Sequence, residues 1–262
     1  MRAFAFVSAI SLALAGTCEA APRRVASLNL CTDELLLMLA APGQIVSVTH
    51  LAQQQAETPL WRQAAPYRRN DGSLLSVASL RPDLVLTMGG GARDRVRIAA
   101  RLGFRTLDLP FAGSLDEVQS NVRAVGVALG RSREAEAVVT RMSRLRRGSP
   151  RSALDSIWLG GGGRTVATGG LEAQWMRLAG LQQRQVRGDR ISLEQLVARP
   201  PQVLLRSDYR QGEYSSGQRW LNHPLARGTR RSRTIPTDGR RWTCMGPLLV
   251  DEIVRLRGIL ER

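Results

Sequence analysis

The stretch from Arg23 to Leu39, RRVASLNLCTDELLLML, restricts the fold more than any other part of the chain. Val25 to Leu28 has the composition of a short apolar strand. Asn29, Leu30 and Cys31 make a tight turn, and Thr32 is expected to cap a helix. Asp33 and Glu34 then fall in the first helical turn, where the helix dipole favours negative charge. Leu35, Leu36, Leu37 and Leu39 supply that helix with an apolar face. A strand feeding a helix through so short a turn opens an α/β layer. Ligands of such sheets gather outside the carboxyl ends of the strands.

The same unit recurs downstream. Ile45 to Thr49, Leu84 to Thr87 and Arg105 to Leu109 read as strands. Leu74 to Leu80, Ala92 to Leu102 and Leu115 to Leu129 read as helices, the last opened by Ser114-Leu115-Asp116-Glu117 as a capping box. Ala52 to Ser73 reads as a polar stretch between them. Gly130 ends this series. A helix from Ser132 follows, with Glu134 and Glu136 early and Arg144, Arg146 and Arg147 late, an order that suits its dipole. Gly148-Ser149-Pro150 closes it. The second half repeats the alternation: apolar Ile157 to Leu159, a helix from Leu171 to Ala179, a capped helix at Ser192, a strand over Val203 to Leu205, another around Ile235, and a closing helix from Pro247 to Leu260. Strands alternating with helices imply mainly parallel sheets. The expected division is a leader over 1–20, an N-terminal α/β lobe over 21–130, a connecting helix over 131–150 and a C-terminal α/β lobe over 151–262.

Met1 to Ala20 carries one early arginine, an apolar run from Ala3 to Ala15 and then small residues, the layout of a secretory signal peptide. Thr17 before Cys18 makes a poor lipoprotein signal, so the expectation is a soluble exported protein. All 38 basic residues are arginines, and the net charge is +16. An anionic partner, such as nucleic acid, a lipid surface or an acidic ligand, is one reading of that charge. The other is arginine standing wherever a solvated cation is wanted. The arginines are spread along the chain without a basic arm, which favours the second. Beyond the leader two cysteines are left, Cys31 and Cys244, one near each end. Composition leaves a bridge and two free thiols equally open, and a bridge would tie the halves together.

Several segments in order resemble one family, the periplasmic substrate-binding proteins of iron-siderophore, haem and cobalamin ABC importers. RVASLNLCTDELLLML is similar to the family's opening strand, turn and helix. SVASLRPDLVLT is similar to its short helix and following strand. RLGFRTLDLP, SLDEVQSNVRAVGVALG, RISLEQLVARPPQVLL and GPLLVDEIVRL continue in the family's order. The resemblance implies two α/β lobes with mainly parallel sheets joined by a single long helix, with the ligand between them. It also implies a monomer that takes a metal chelate or tetrapyrrole, a corrinoid or ferric siderophore before haem, to an ABC permease in the inner membrane. It implies no resident cofactor and no catalysis. Family members dock through one acidic residue per lobe. Glu194 matches in the second lobe, while the first-lobe position falls at Leu75, leaving Glu34 or Asp71 to serve instead.

Turn positions expected to face the ligand are Asn29, Leu30, His50, Met88, Gly89, Tyr209, Arg241, Trp242 and Met245. Met88 stands where cobalamin-binding members carry an aromatic. Trp242 suits either a flat ring or half-buried packing. Arg240 and Arg241 suit either an anionic carboxylate or catecholate, or solvent. His50 suits an axial metal contact or an ordinary structural role, and His223 in Asn222-His223-Pro224 suits a loop cap. Two distant histidines do not make a closed metal site. There is no phosphate-binding Gly-Lys-Ser/Thr loop and no Gly-x-Ser-x-Gly nucleophile turn. A polyanion-binding exported protein is the alternative.

Overall fold

The computed structural model describes residues 20–89, 92–210, 215–227 and 231–262. Residues 1–19 of the expected leader, and Gly90 and Gly91 of the glycine turn, lie outside the described residues. The first sheet contains β1 (Val25–Ser27), β2 (Ile45–Thr49), β3 (Arg68–Asn70), β4 (Leu84–Met88) and β5 (Arg105–Leu109). They lie in the order β3-β2-β1-β4-β5, and every neighbouring pair is parallel. Around it stand α1 (Leu30–Leu39), α2 (Trp61–Ala64), α3 (Leu74–Ala78) and α4 (Ala92–Arg101). Two helices follow, α5 (Leu115–Leu129) and α6 (Ser132–Arg147). The second sheet contains β6 (Leu154–Leu159), β7 (Leu181–Gln183), β8 (Val203–Ser207) and β9 (Arg233–Thr237), in the parallel order β7-β6-β8-β9. Its helices are α7 (Leu171–Leu178), α8 (Leu193–Ala198), α9 (Ser216–Leu221), α10 (Gly239–Cys244) and α11 (Leu249–Leu260). The result is the expected two-lobed α/β fold.

Each sheet is apolar on both faces, which is why its strands read as continuous hydrophobic runs. In β4, Leu84 and Leu86 point into one core and Val85 into another. In β8, Val203 and Leu205 face one core and Leu204 the other. The two-residue period of a strand makes that division.

The expected connecting helix is α6, which packs against α5 as a helical hairpin between the sheets. Gly130 turns it with φ +68 and caps α5 through bonds to the Gly126 and Val127 carbonyls. Gly126 lets α5 and α6 approach closely: a Cβ there would lie 2.3 Å from that of Ala135. Leu115 and Val118 of α5 belong to the second lobe's core, and Val122, Val125 and Leu129 to the first. In α6 the order reverses, Ala135 and Val139 lying in the first core and Met142 and Leu145 in the second. The first turns of α5, assigned to the first lobe by sequence, therefore pack in the second.

Local caps account for most element boundaries. Asn29, not Thr32, caps α1, its Oδ1 accepting from the Cys31 N–H at 2.8 Å. Thr32 lies inside the helix, its hydroxyl bonded to the Asn29 carbonyl and to Ser27. Ser192 and Gln195 form a reciprocal capping box at α8. Among the described residues no helix is long and apolar enough to cross a membrane.

Candidate functional site

Strand order reverses between β1 and β4 in the first sheet and between β6 and β8 in the second. Crevices form where neighbouring connections leave in opposite directions. The segments after β1, β2, β4, β5, β8 and β9 face one another in a cleft between the lobes. Two cavities occupy it, and α10 lines both, one with its first turn and the other with its last.

The larger cavity, about 770 Å³, is polar. Gln55 and Ala56 border it from the first lobe, and Arg210, Asp238, Arg240, Arg241 and Arg255 from the second. Asp238 caps α10 and holds Arg240 by a two-pronged contact at 2.8 Å on each side. Burial alone would raise the Asp238 pKa, but Arg240 and Arg241 outweigh it and hold the carboxyl below its ordinary value. Arg241 donates to the Leu248 carbonyl at 2.8 Å. Glu252 is buried, accepts from the Thr237 hydroxyl and pairs with Arg255. These carboxylates fix the guanidinium groups in place. Each guanidinium has five N–H donors, so such a pairing leaves donors over for an anion.

Across this cavity the lobes are clasped by hydrogen bonds. Glu57 of the first lobe is only 4% exposed. Its carboxylate accepts from the Tyr209 hydroxyl at 2.6 Å and from the Arg210 guanidinium at 2.5 Å. Burial and then the Glu57 bond push the Tyr209 pKa up. Arg240 adds a bond to the Gln55 carbonyl at 2.9 Å. Replacing Glu57 by alanine strands the Tyr209 hydroxyl and costs about 1–3 kcal/mol of stability, with the Arg210 share reduced because that side chain is half-exposed. Glu57→Gln keeps one acceptor and should recover part of the loss in urea unfolding.

The smaller cavity, about 250 Å³, is mostly apolar. Leu35, Met88, Phe111, Val118, Met245 and Pro247 line it, together with both cysteines. Cys31 and Cys244 form a disulfide across the lobes, with Cα atoms 5.2 Å apart. Gly89 has φ +105, and a Cβ there would lie 2.7 Å from the Phe111 ring. Glycine thus admits a ring that stays 69% exposed at the cavity. Glu34 also lines this space. Burial raises its pKa to about 8, against the Thr58 hydroxyl donating at 2.7 Å, so the carboxyl is mostly neutral at pH 7. Burial likewise lifts Asp33 to about 6, although it accepts from the Thr49 N–H and hydroxyl.

Of the expected ligand-facing residues, Met88 and Met245 meet at the apolar cavity and Arg241 lines the polar one, beside Arg240. Tyr209 serves the clasp. Asn29 is committed to capping α1, and Leu30 lies in the first lobe's core. His50 is exposed, with Nδ1 3.4 Å from the Asn70 carbonyl. Trp242 is 5% exposed, donates to Thr237 at 2.8 Å and packs against Trp158, which decides for packing over ligand contact. Glu34 is buried and unavailable as a surface docking group, whereas Asp71 and Glu194 are exposed. Leu75 is 79% exposed. His223 caps its loop as expected, accepting from the Leu225 N–H. Asp33 and Glu34 sit early in α1 but point inward, so burial and not dipole complementation sets their state. Glu57, Phe111, Arg210 and Asp238 escaped the sequence reading. The first lies in a stretch without periodicity, and Phe111 follows a strand-ending proline that signals only a turn.

Residues 25–146 match the family of periplasmic binding proteins. The match runs from β1 through the hairpin of α5 and α6. No curated protein matches the chain. The chain is similar to several solved structures over nearly its whole length. A periplasmic heme binding protein from Pseudomonas aeruginosa shares 22% identity with a TM-score of 0.65, covering 91% of this chain and 92% of the other. The periplasmic vitamin B12 binding protein BtuF of Vibrio cholerae shares 18% with a TM-score of 0.64, covering 92% and 97%. The siderophore binding protein BauB, bound to acinetobactin and ferric iron, shares 14% with a TM-score of 0.69, covering 91% and 93%. At these identities the likeness is one of fold.

Proposed function

We propose that this chain is the exported solute-binding component of an ABC importer, which captures a metal chelate in its interlobe cleft and delivers it to a permease. The pairing of an arginine-lined cavity with an apolar one, both between the lobes, carries this reading. Solved structures with the same fold bind heme, vitamin B12 or a ferric siderophore. Guanidinium groups held by neighbouring carboxylates recognise carboxylate or catecholate oxygens by forked hydrogen bonds. That chemistry favours an anionic ferric siderophore. Arg240, Arg241 and Met245 of the second lobe, with Met88 and Gly89 of the first, are the contacts we assign. The helical hairpin shared by both lobes keeps the cleft largely pre-formed. Delivery would use Glu194 at the first turn of α8, whose carboxyl is held below its ordinary pKa by the Ser192 hydroxyl and so remains ionised.

The test is a thermal-shift titration of the chain without its leader against ferric siderophores, cyanocobalamin, cobinamide and haemin, at low and high salt. A cleft ligand should raise the melting temperature as its concentration passes the dissociation constant, and the rise should persist at high salt. No rise with any chelate, together with a salt-sensitive rise on adding nucleic acid or anionic lipid, would reject this function in favour of polyanion binding.

A further inference from the structure

We propose that the Cys31–Cys244 disulfide is a cross-cleft tether that fixes the aperture between the lobes and thereby limits the size of ligand admitted. Cys31 stands in the first turn of α1, just beyond β1, and Cys244 ends α10, just beyond β9. The bond joins residues 213 apart in sequence and holds their Cα atoms at 5.2 Å. It therefore pins the carboxyl ends of the two sheets to each other, at the place where a two-lobed receptor would open.

The apolar cavity is bounded by this bond and also by Val118 and Asn121 of α5, part of the hairpin that runs through both cores. It lies between a covalent link and the shared connection, so a hinge motion cannot widen it. The polar cavity is different. Among the described residues, Glu57, Tyr209, Arg210, Gln55 and Arg240 close it by hydrogen bonds and an ion pair, which exchange readily with those of a ligand. The oxidised protein thus has one cavity of fixed size and one that yields only on its clasped side. A compact anionic chelate fits such a cleft. A broad ligand lying across both cavities, with a corrin ring and its appended nucleotide, needs the lobes further apart than the bond allows. This size limit rests on the receptor function proposed above, whereas the fixed aperture does not.

The experiment compares the oxidised protein with C31S/C244S and with the folded wild-type chain after phosphine reduction of the bond to two thiols. The reduced wild-type sample serves if the double variant fails to fold. Hydrogen exchange of amides in α10 and at Asn29 to Thr32 reports the aperture without any ligand. Binding of ferric citrate and of cyanocobalamin reports the size limit. Breaking the bond should speed exchange at those amides by about tenfold or more. It should also admit cyanocobalamin while weakening ferric citrate. Unchanged exchange, or binding of the same ligand with and without the bond, would overturn the proposal. Faster exchange with neither ligand bound in any form would support the tether and count against the receptor function instead.

Discussion

Replacing Trp175 by alanine is expected to lower the free energy of unfolding by about 3–5 kcal/mol, the range for removing a fully buried tryptophan. Trp175 is wholly buried in the second lobe's core, among Leu171, Leu178, Trp242 and Ile253. Its indole N–H also donates to the Met245 carbonyl at 2.9 Å. Met245 caps α10 in a left-handed conformation, φ 48, which a residue other than glycine holds only when its surroundings impose it. Losing Trp175 therefore opens a void and leaves that carbonyl unsatisfied. A drop in melting temperature on the order of 10 °C follows for a chain of this size. Met245 lines the apolar cavity, so Trp175→Phe should separate the two effects. It refills much of the space and restores most of the stability, yet it leaves the carbonyl without its donor. Equal stability of Trp175→Ala and wild type in urea unfolding would show that the site collapses around the void.

Glu34 should make stability fall as pH rises through neutrality. Its carboxyl titrates at about 8 in the fold against 4.5 in an exposed chain, so the folded state holds its proton more tightly. The benefit of the protonated group is complete below pH 4.5 and is lost progressively as pH rises to about 8. Across that window the single group is worth about 5 kcal/mol at most. Asp33, raised to about 6, adds a slope in the same direction at lower pH. Glu34→Gln keeps the shape and the bonding to Thr58 while removing the charge. The variant should match the wild type near pH 5 and exceed it near pH 8, by a margin that grows across the window. A constant difference between the two proteins at every pH would mean that Glu34 ionises freely in the fold.

These two residues illustrate what the sequence reveals and what it hides. Periodicity and caps locate β1, β2, β4, β5 and the helices α5, α6, α8 and α11 because each carries its own local signal. The short edge strands β3 and β7 lack one: Arg68-Arg69-Asn70 is a strand only because β2 offers it a parallel edge. Helices α9 and α10 are each six residues long, too brief for a repeat to register. At the site, Met88, Met245 and the two arginines are readable as turn residues at strand ends. Glu57 is not, because its importance comes from Tyr209 and Arg210, some 150 positions away. Trp242 misleads for the opposite reason. Its neighbours Arg241 and Thr243 suggest a surface turn, while α10 rotates the indole into the core.

The hairpin of α5 and α6 bears on how the protein folds and how it can be divided. Each helix contributes to both cores, so neither half of the chain owns a complete hydrophobic interior. A fragment ending at Gly130 would present Leu115 and Val118 to water, and one beginning at Arg131 would do the same with Ala135 and Val139. The two lobes should therefore melt in one cooperative step rather than in succession. Lobes that share a helix pair in this way cannot be exchanged between relatives as independent modules unless the hairpin travels with one of them and the surface it meets is rebuilt on the other.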